Sequence, residues 1–219
     1  MCYISRETIV ATLEKMRSFY DDMSCLFDKY GMNFEENSGR RNIVMSHAQE
    51  KMLADQLGKI FHNVISDGKT GQPDIVIEHE GISRELECKI TTPTSSLSLQ
   101  TDYETLARKG KLDYIYFVVN DDFTEYAVLF FDGLTVDDFR FPSPGSRGKS
   151  SMVKHKAFKK CTPLFGTIED IKRMSINRCN LKLKEVKPTQ KSKKKRIEKS
   201  LEYWLQSDGR FSVKMEKVA

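Results

Sequence analysis

The chain has 219 residues, 31% charged and 39% hydrophobic, with 36 Lys and Arg against 31 Asp and Glu. That length suits one domain with a sizeable core, and 10% aromatic residues is ample for one, so the high charge is a surface property and not disorder. No apolar run approaches the roughly 18 residues of a membrane span, and the start MCYISRETIV lacks a basic stretch followed by an apolar one, so a cytoplasmic protein without a secretory leader is expected.

The charge is polarised along the chain. Residues 1–139 carry 14 basic and 24 acidic side chains, a net of −10, whereas residues 140–219 carry 22 and 7, a net of +15. Such a basic segment seeks a polyanion. Cys2, Cys25, Cys88, Cys161 and Cys179 are widely spaced, which predicts reduced thiols, and the four histidines form no close pair of metal ligands.

In chain order, Ser5 caps a helix over 5–30, with Ile9, Leu13, Met16, Tyr20, Met23, Phe27 and Tyr30 at spacings of three and four and Gly31 as its stop. This stripe is core or a dimer interface. A polar connection over 32–45 leads to a second helix that opens at a capping box, Ser46 to Gln49, and shows Leu53, Leu57, Ile60, Phe61 and Val64 on one face. Glu50 shares that face near the first turn. Residues 66–72 form a turn-rich loop. Two strands, Asp74–Glu78 and Ser83–Ile90, make a hairpin about Glu80-Gly81, with Ile75, Ile77, Leu86, Cys88 and Ile90 on one face and carboxylates on the other. Thr101 to Glu104 is a capping box for a short helix ended by Gly110. Tyr114–Val119 and Tyr126–Phe131 are buried strands. Thr167 caps a helix to about Arg178. Ile197, Leu201, Trp204 and Leu205 give a last helix an apolar face beneath its lysines. The expected fold is α/β (α+β), a mixed central sheet flanked by helices in a single domain. Its parts are a helical 1–45, a core over 46–141 and a basic 142–219.

With Glu80-Gly81 as the turn, Asp74 falls opposite Glu87, and Lys89 shares their face because the strand period is two. Two carboxylates so close need a cation between them, and hard oxygen ligands suit Mg²⁺. An ammonium beside such a site can hold a water and neutralise developing charge. These are the parts of metal-assisted phosphodiester hydrolysis. The bare string is weak, arising by chance on the order of once in ten to twenty chains. Its place on adjacent strands, after a helix bearing Glu50 and before a basic segment, strengthens it.

Pro73-Asp74 followed by Glu87-Cys88-Lys89 resembles the PD-(D/E)xK nuclease motif, and the plan of the chain is similar to that of type II restriction endonucleases, over about residues 46–132. The resemblance implies a restriction-endonuclease-like core and a Mg²⁺-dependent, sequence-specific cutter of double-stranded DNA. Such an enzyme leaves 5′-phosphate ends, is commonly a homodimer, and is accompanied by a cognate DNA methyltransferase. It implies Asp74 and Glu87 as metal ligands, the Cys88 backbone carbonyl as a further ligand, Lys89 as the catalytic lysine and Glu50 as an assisting acid.

The loop Gly145 to Ser150 resembles the end of a phosphate-binding GxxxxGK[ST] loop, but Ser143 stands where the first glycine is required, so an NTPase fits poorly. Ser146, Arg147 and Lys149 in that loop, Lys154 and Lys156 after it, and Lys193, Lys194, Lys195 and Arg196 are expected to contact DNA. Two rivals stand beside this reading: a repair or junction nuclease of the same superfamily, and a non-catalytic nucleic-acid-binding protein built on the basic segment.

Overall fold

The computed structural model describes residues 2–66, 72–79, 81–93, 97–145 and 148–206. Ser5 caps α1 (Arg6–Lys29) as expected, accepting from the Thr8 amide. The stripe is core at its start, where Ile9, Leu13, Met16 and Tyr20 are buried, and fades towards an exposed Tyr30. It is thus no free dimer interface along most of its length. The next helix departs from expectation. α2 spans Ser38–Leu57 and is capped by Asn37, whose side chain accepts from the Arg40 amide. Residues 38–45 are therefore helical, the expected division at residue 46 falls inside α2, and Ser46 is no cap. Ile60 and Phe61 lie past the helix end, and Ile60 is exposed.

Three antiparallel strands follow: β1 (Asn63–Ile65), β2 (Ile75–His79) and β3 (Ile82–Thr91). The β2–β3 register is the expected one, with Ile75 opposite Leu86 and Glu78 opposite Ser83. Glu80, in the turn, lies outside the described residues, as does most of the 66–72 loop. Next come β4 (Gln100–Asp102), α3 (Tyr103–Lys109), β5 (Leu112–Val119) and β6 (Tyr126–Leu134). The cap of α3 is Asp102, which accepts from the Thr105 amide; Thr101 belongs to β4 instead. The chain then forms β7 (Lys149–Ser151), α4 (Lys154–Ala157), β8 (Cys161–Phe165), α5 (Ile168–Glu185) and α6 (Lys191–Gln206). Thr167 does cap α5, in a capping box with Asp170, but the helix runs a further two turns past Arg178.

The main sheet has six strands in the order β1-β2-β3-β5-β6-β8, and β4 and β7 pair separately. Among the described pairings only β3–β5 is parallel. It is a mixed sheet between two helical layers, and strand alternation divides the core accordingly. Leu86, Cys88, Ile115 and Phe117 pack with α1 and α2. Tyr114, Tyr116, Leu129 and Phe131 pack with residues of α3 to α6, including Leu106, Ile171, Met174 and Trp204. Both faces of β5 are covered, so all eight of its residues are buried. On α6 the inward residues are Ile197, Ser200 and Trp204; Leu205 is exposed. No described helix is long and apolar enough to cross a membrane.

Gly166 turns the chain from β8 into α5 with a φ of +66°, and a Cβ there would stand 2.9 Å from the Tyr126 carbonyl oxygen. Both the left-handed backbone and the backbone clash oppose a side chain. Gly166→Ala should lower unfolding free energy by about 1–3 kcal/mol, read as a fall in denaturant midpoint at constant m-value.

Candidate active site

The site forms where the start of β2 meets the middle of β3. Asp74 precedes β2 by one residue, and its Oδ2 accepts the Cys88 amide at 2.7 Å. That bond fixes the carboxylate on β3, and the unbroken β2–β3 register keeps Asp74 on the Glu87 face. The Lys89 Nζ lies 3.8 Å from the same oxygen and forms a closer ion pair with Glu87 Oε1. The structure thus brings Asp74, Glu87 and Lys89 together on one face, as the strand period requires. Cys88 points the other way into the core. The neighbouring acids are engaged elsewhere: Glu85 pairs with Lys109, and Glu78 accepts from Asn63.

Glu50 reaches the cluster from α2. It is half-buried and accepts a 3.3 Å hydrogen bond from Ser46 Oγ. Because α2 starts at Ser38, Glu50 sits well inside the helix and not in its first turn. Burial, then the nearby Asp74 carboxylate, pushes its carboxyl above the usual range. Glu87 is also pushed up by burial, with the Lys89 ammonium opposing this and Asp74 adding to it. For Lys89, burial works against the charge, but Glu87 and Asp74 outweigh it and hold the ammonium above its ordinary value.

A further acid lies within electrostatic range of the cluster. Asp102, the cap of α3, adds to the rise of the Glu87 carboxyl. It pairs across β4–β7 with Lys149. The Tyr103 amide donates to the Gly148 carbonyl, so Gly148 and Lys149 are held alongside Asp102. The capping position is visible in the sequence; its closeness to Glu87 depends on the β3–β5 crossover and is not. Tyr114, opposite Glu87 in the parallel register, shares the site face and hydrogen-bonds Thr101 at 2.7 Å.

Among the described residues, no three His, Cys, Asp or Glu side chains converge as a ready-made metal site. The Lys89 ammonium lies against both Glu87 and Asp74, where a second cation would have to compete with it. Two carboxylates meet this one ammonium, with Glu50 nearby, and their donors are hard oxygens. Such a donor set is of the kind that suits a divalent cation such as Mg²⁺.

The expected DNA-contacting residues are distributed around this centre. Ser146 and Arg147 lie outside the described residues. Lys149 is exposed on β7, and Lys156 is exposed on α4. Lys154 is half-buried; burial, then Arg140, pulls its ammonium down to about 8. Lys193, Lys194, Lys195 and Arg196 are all exposed on α6, with Lys194 3.8 Å from Glu198.

Two arginines that carry no sequence signal tie the β5–β6 turn to the helices. Arg178 on α5 makes a two-pronged ion pair with Asp121, at 2.7 and 3.0 Å, and donates to the Pro93 carbonyl just beyond β3. Arg41, buried in α2, donates to the Asp121 carbonyl and stacks over Phe123. The β5–β6 turn is thereby clasped by both helical layers. Compared with protein families, curated proteins and solved structures, the chain finds no match in any of the three.

Proposed function

We propose that the chain is a Mg²⁺-dependent endonuclease of double-stranded DNA, of the restriction type, with the mixed sheet as a restriction-endonuclease-like core. The observation that carries the reading is the Asp74–Glu87–Lys89 cluster, its Asp74 carboxylate locked by the Cys88 amide, with Lys149 held alongside Asp102. Bound Mg²⁺ would polarise a phosphodiester and supply an activated water. Asp74 and Glu87 are the residues to hold it, with the Cys88 carbonyl as a further donor. Lys89, kept protonated by its two acids, offers a positive charge to an attacking oxygen and to the charge that grows on the phosphorus group. Glu50, its carboxyl raised, is placed to take up or release a proton beside Asp74. Partial burial beside Tyr114 strengthens each of these interactions while leaving the cluster open to a substrate.

Lys149, Lys154, Lys156 and Lys193–Arg196 are the proposed backbone contacts, and the working form is a homodimer, because two strands require two centres. A methyltransferase protecting the same site would be its cellular companion. Incubation with plasmid DNA and Mg²⁺, followed by sequencing of the ends, tests the activity. Ends sharing a short motif would support it; absence of hydrolysis, with binding retained, would support a non-catalytic nucleic-acid-binding protein. Neutralising Lys193, Lys194, Lys195 and Arg196 together should weaken binding to all sequences alike and shallow the salt slope, by up to about one unit for each phosphate no longer neutralised. An unchanged slope would make them a solvated surface.

A further inference from the structure

A second positively charged feature lies away from the carboxylate cluster. Between α5 and α6 is a cavity of about 380 Å³, lined by Arg178, Lys182, Lys193 and Arg196 with Pro93 and Ile197 as apolar wall. Glu185 is the acid on its lining. Arg178 already answers Asp121. Lys182, Lys193 and Arg196 form no ion pair among the described residues, so against Glu185 the cavity keeps a surplus of two positive charges. Burial, then Arg178, makes the charge on Lys182 costly, which is the condition an incoming anion relieves.

We propose that this cavity binds a nucleoside 5′-phosphate. The charge surplus matches a phosphomonoester, which carries about −1.5 to −2, better than the single charge of an internal phosphodiester. The volume lies within the roughly 300–1,000 Å³ of small-molecule sites and leaves room for more than a bare phosphate. The wall of Pro93 and Ile197 suits the sugar and base. The location is telling as well. Pro93 follows Lys89 by four residues, at most about 14 Å of chain, and α5 and α6 cover the same sheet face on which Glu87 and Lys89 stand. The ligand is either a free nucleotide or the 5′-phosphorylated end of a strand.

Calorimetry on the full chain in EDTA, where no hydrolysis intervenes, decides the matter. Deoxyadenosine 5′-monophosphate should bind wild type and Lys89→Ala alike, and at least about tenfold more tightly than deoxyadenosine. Lys193→Gln and Arg196→Gln, on the exposed face of α6 and therefore tolerated by the fold, should each weaken it about tenfold; circular dichroism checks that α6 persists. An oligonucleotide with a 5′-phosphate that binds about tenfold better than its 5′-hydroxyl counterpart assigns the pocket to a strand end. Equal binding of the two oligonucleotides, with the mononucleotide still bound, assigns it to the free nucleotide. Equal affinity for nucleotide and nucleoside, or unchanged affinity in both glutamine variants, overturns the site. Because binding is read without cleavage and in Lys89→Ala, an inactive wild type would leave the pocket standing, and an empty pocket would leave the endonuclease standing.

Discussion

Replacing Lys89 with alanine should reduce DNA cleavage about 10²–10³-fold, the usual loss when one preorganised charge is removed from a developing one. The structure adds a second expectation. The ammonium lies against both Glu87 and Asp74 and so competes with any other cation for the same oxygens. Without it, those carboxylates should bind Mg²⁺ or Ca²⁺ at least as tightly as before, and added metal should restore no activity. Asp74→Asn should behave in the opposite way. The amide oxygen can still accept from Cys88, so the local backbone is kept, but a negative ligand is gone. Metal affinity should fall, and raised Mg²⁺ should recover part of the rate. DNA binding should survive both changes. Calorimetric metal titration beside cleavage kinetics separates the two; full activity in Lys89→Ala would remove it from the chemistry.

Trp204→Ala should be the most damaging single truncation outside the site. The side chain is fully buried in the core between the sheet and the C-terminal helices, edge-on to Tyr203 and clustered with Ile171 and Met174. Emptying such a position costs about 3–5 kcal/mol, a fall in Tm of roughly 6–20 °C for a chain of this size. Trp204→Phe, which refills most of the space, should cost less. The loss extends beyond α6, because α5 carries the Arg178 clasp on Pro93 and Asp121. Thermal unfolding followed by circular dichroism gives the magnitude, and a shift under about 2 °C would mean that α6 contributes little to the core.

The hairpin is legible in the sequence because two constraints agree there: a two-residue turn fixes register, and alternation of Ile75, Ile77, Leu86 and Cys88 fixes the face. The same alternation places Asp74, Glu87 and Lys89 together. The buried strands β5 and β6 are legible from their apolar, β-branched and aromatic runs. What misleads is local rivalry between equally good signals. Asn37 and Ser46 both look like caps, and nearness to the apolar face favours Ser46, which strips eight residues from α2 and puts Glu50 in its first turn. β1 is a three-residue edge strand whose middle residue alone is half-buried, too short to show a period. The electrostatic reach of Asp102 to Glu87 and the Arg178 pair with Asp121 both span the fold, made by the strand crossover and by the return of α5. No spacing along the chain encodes them.

The parallel pairing of β3 with β5 gives the sheet a seam. β1, β2 and β3 are joined by local antiparallel contacts, as are β5 and β6, but β3 meets β5 only after the chain has travelled through β4 and α3. Closing that long connection is entropically slower than forming either hairpin. Glu87 and Lys89 lie along the seam, opposite Tyr114 and Tyr116. Asp74, Glu87 and Lys89 assemble within the β2–β3 hairpin, and docking of the two halves brings the aromatic strand β5 alongside them. Opening the seam locally would strip Tyr114 from beside Glu87 without unfolding either half, so exchange of the β3 amides that bond to β5, set against exchange at Cys88, whose amide is held by Asp74, separates opening of the seam from loosening of the hairpin.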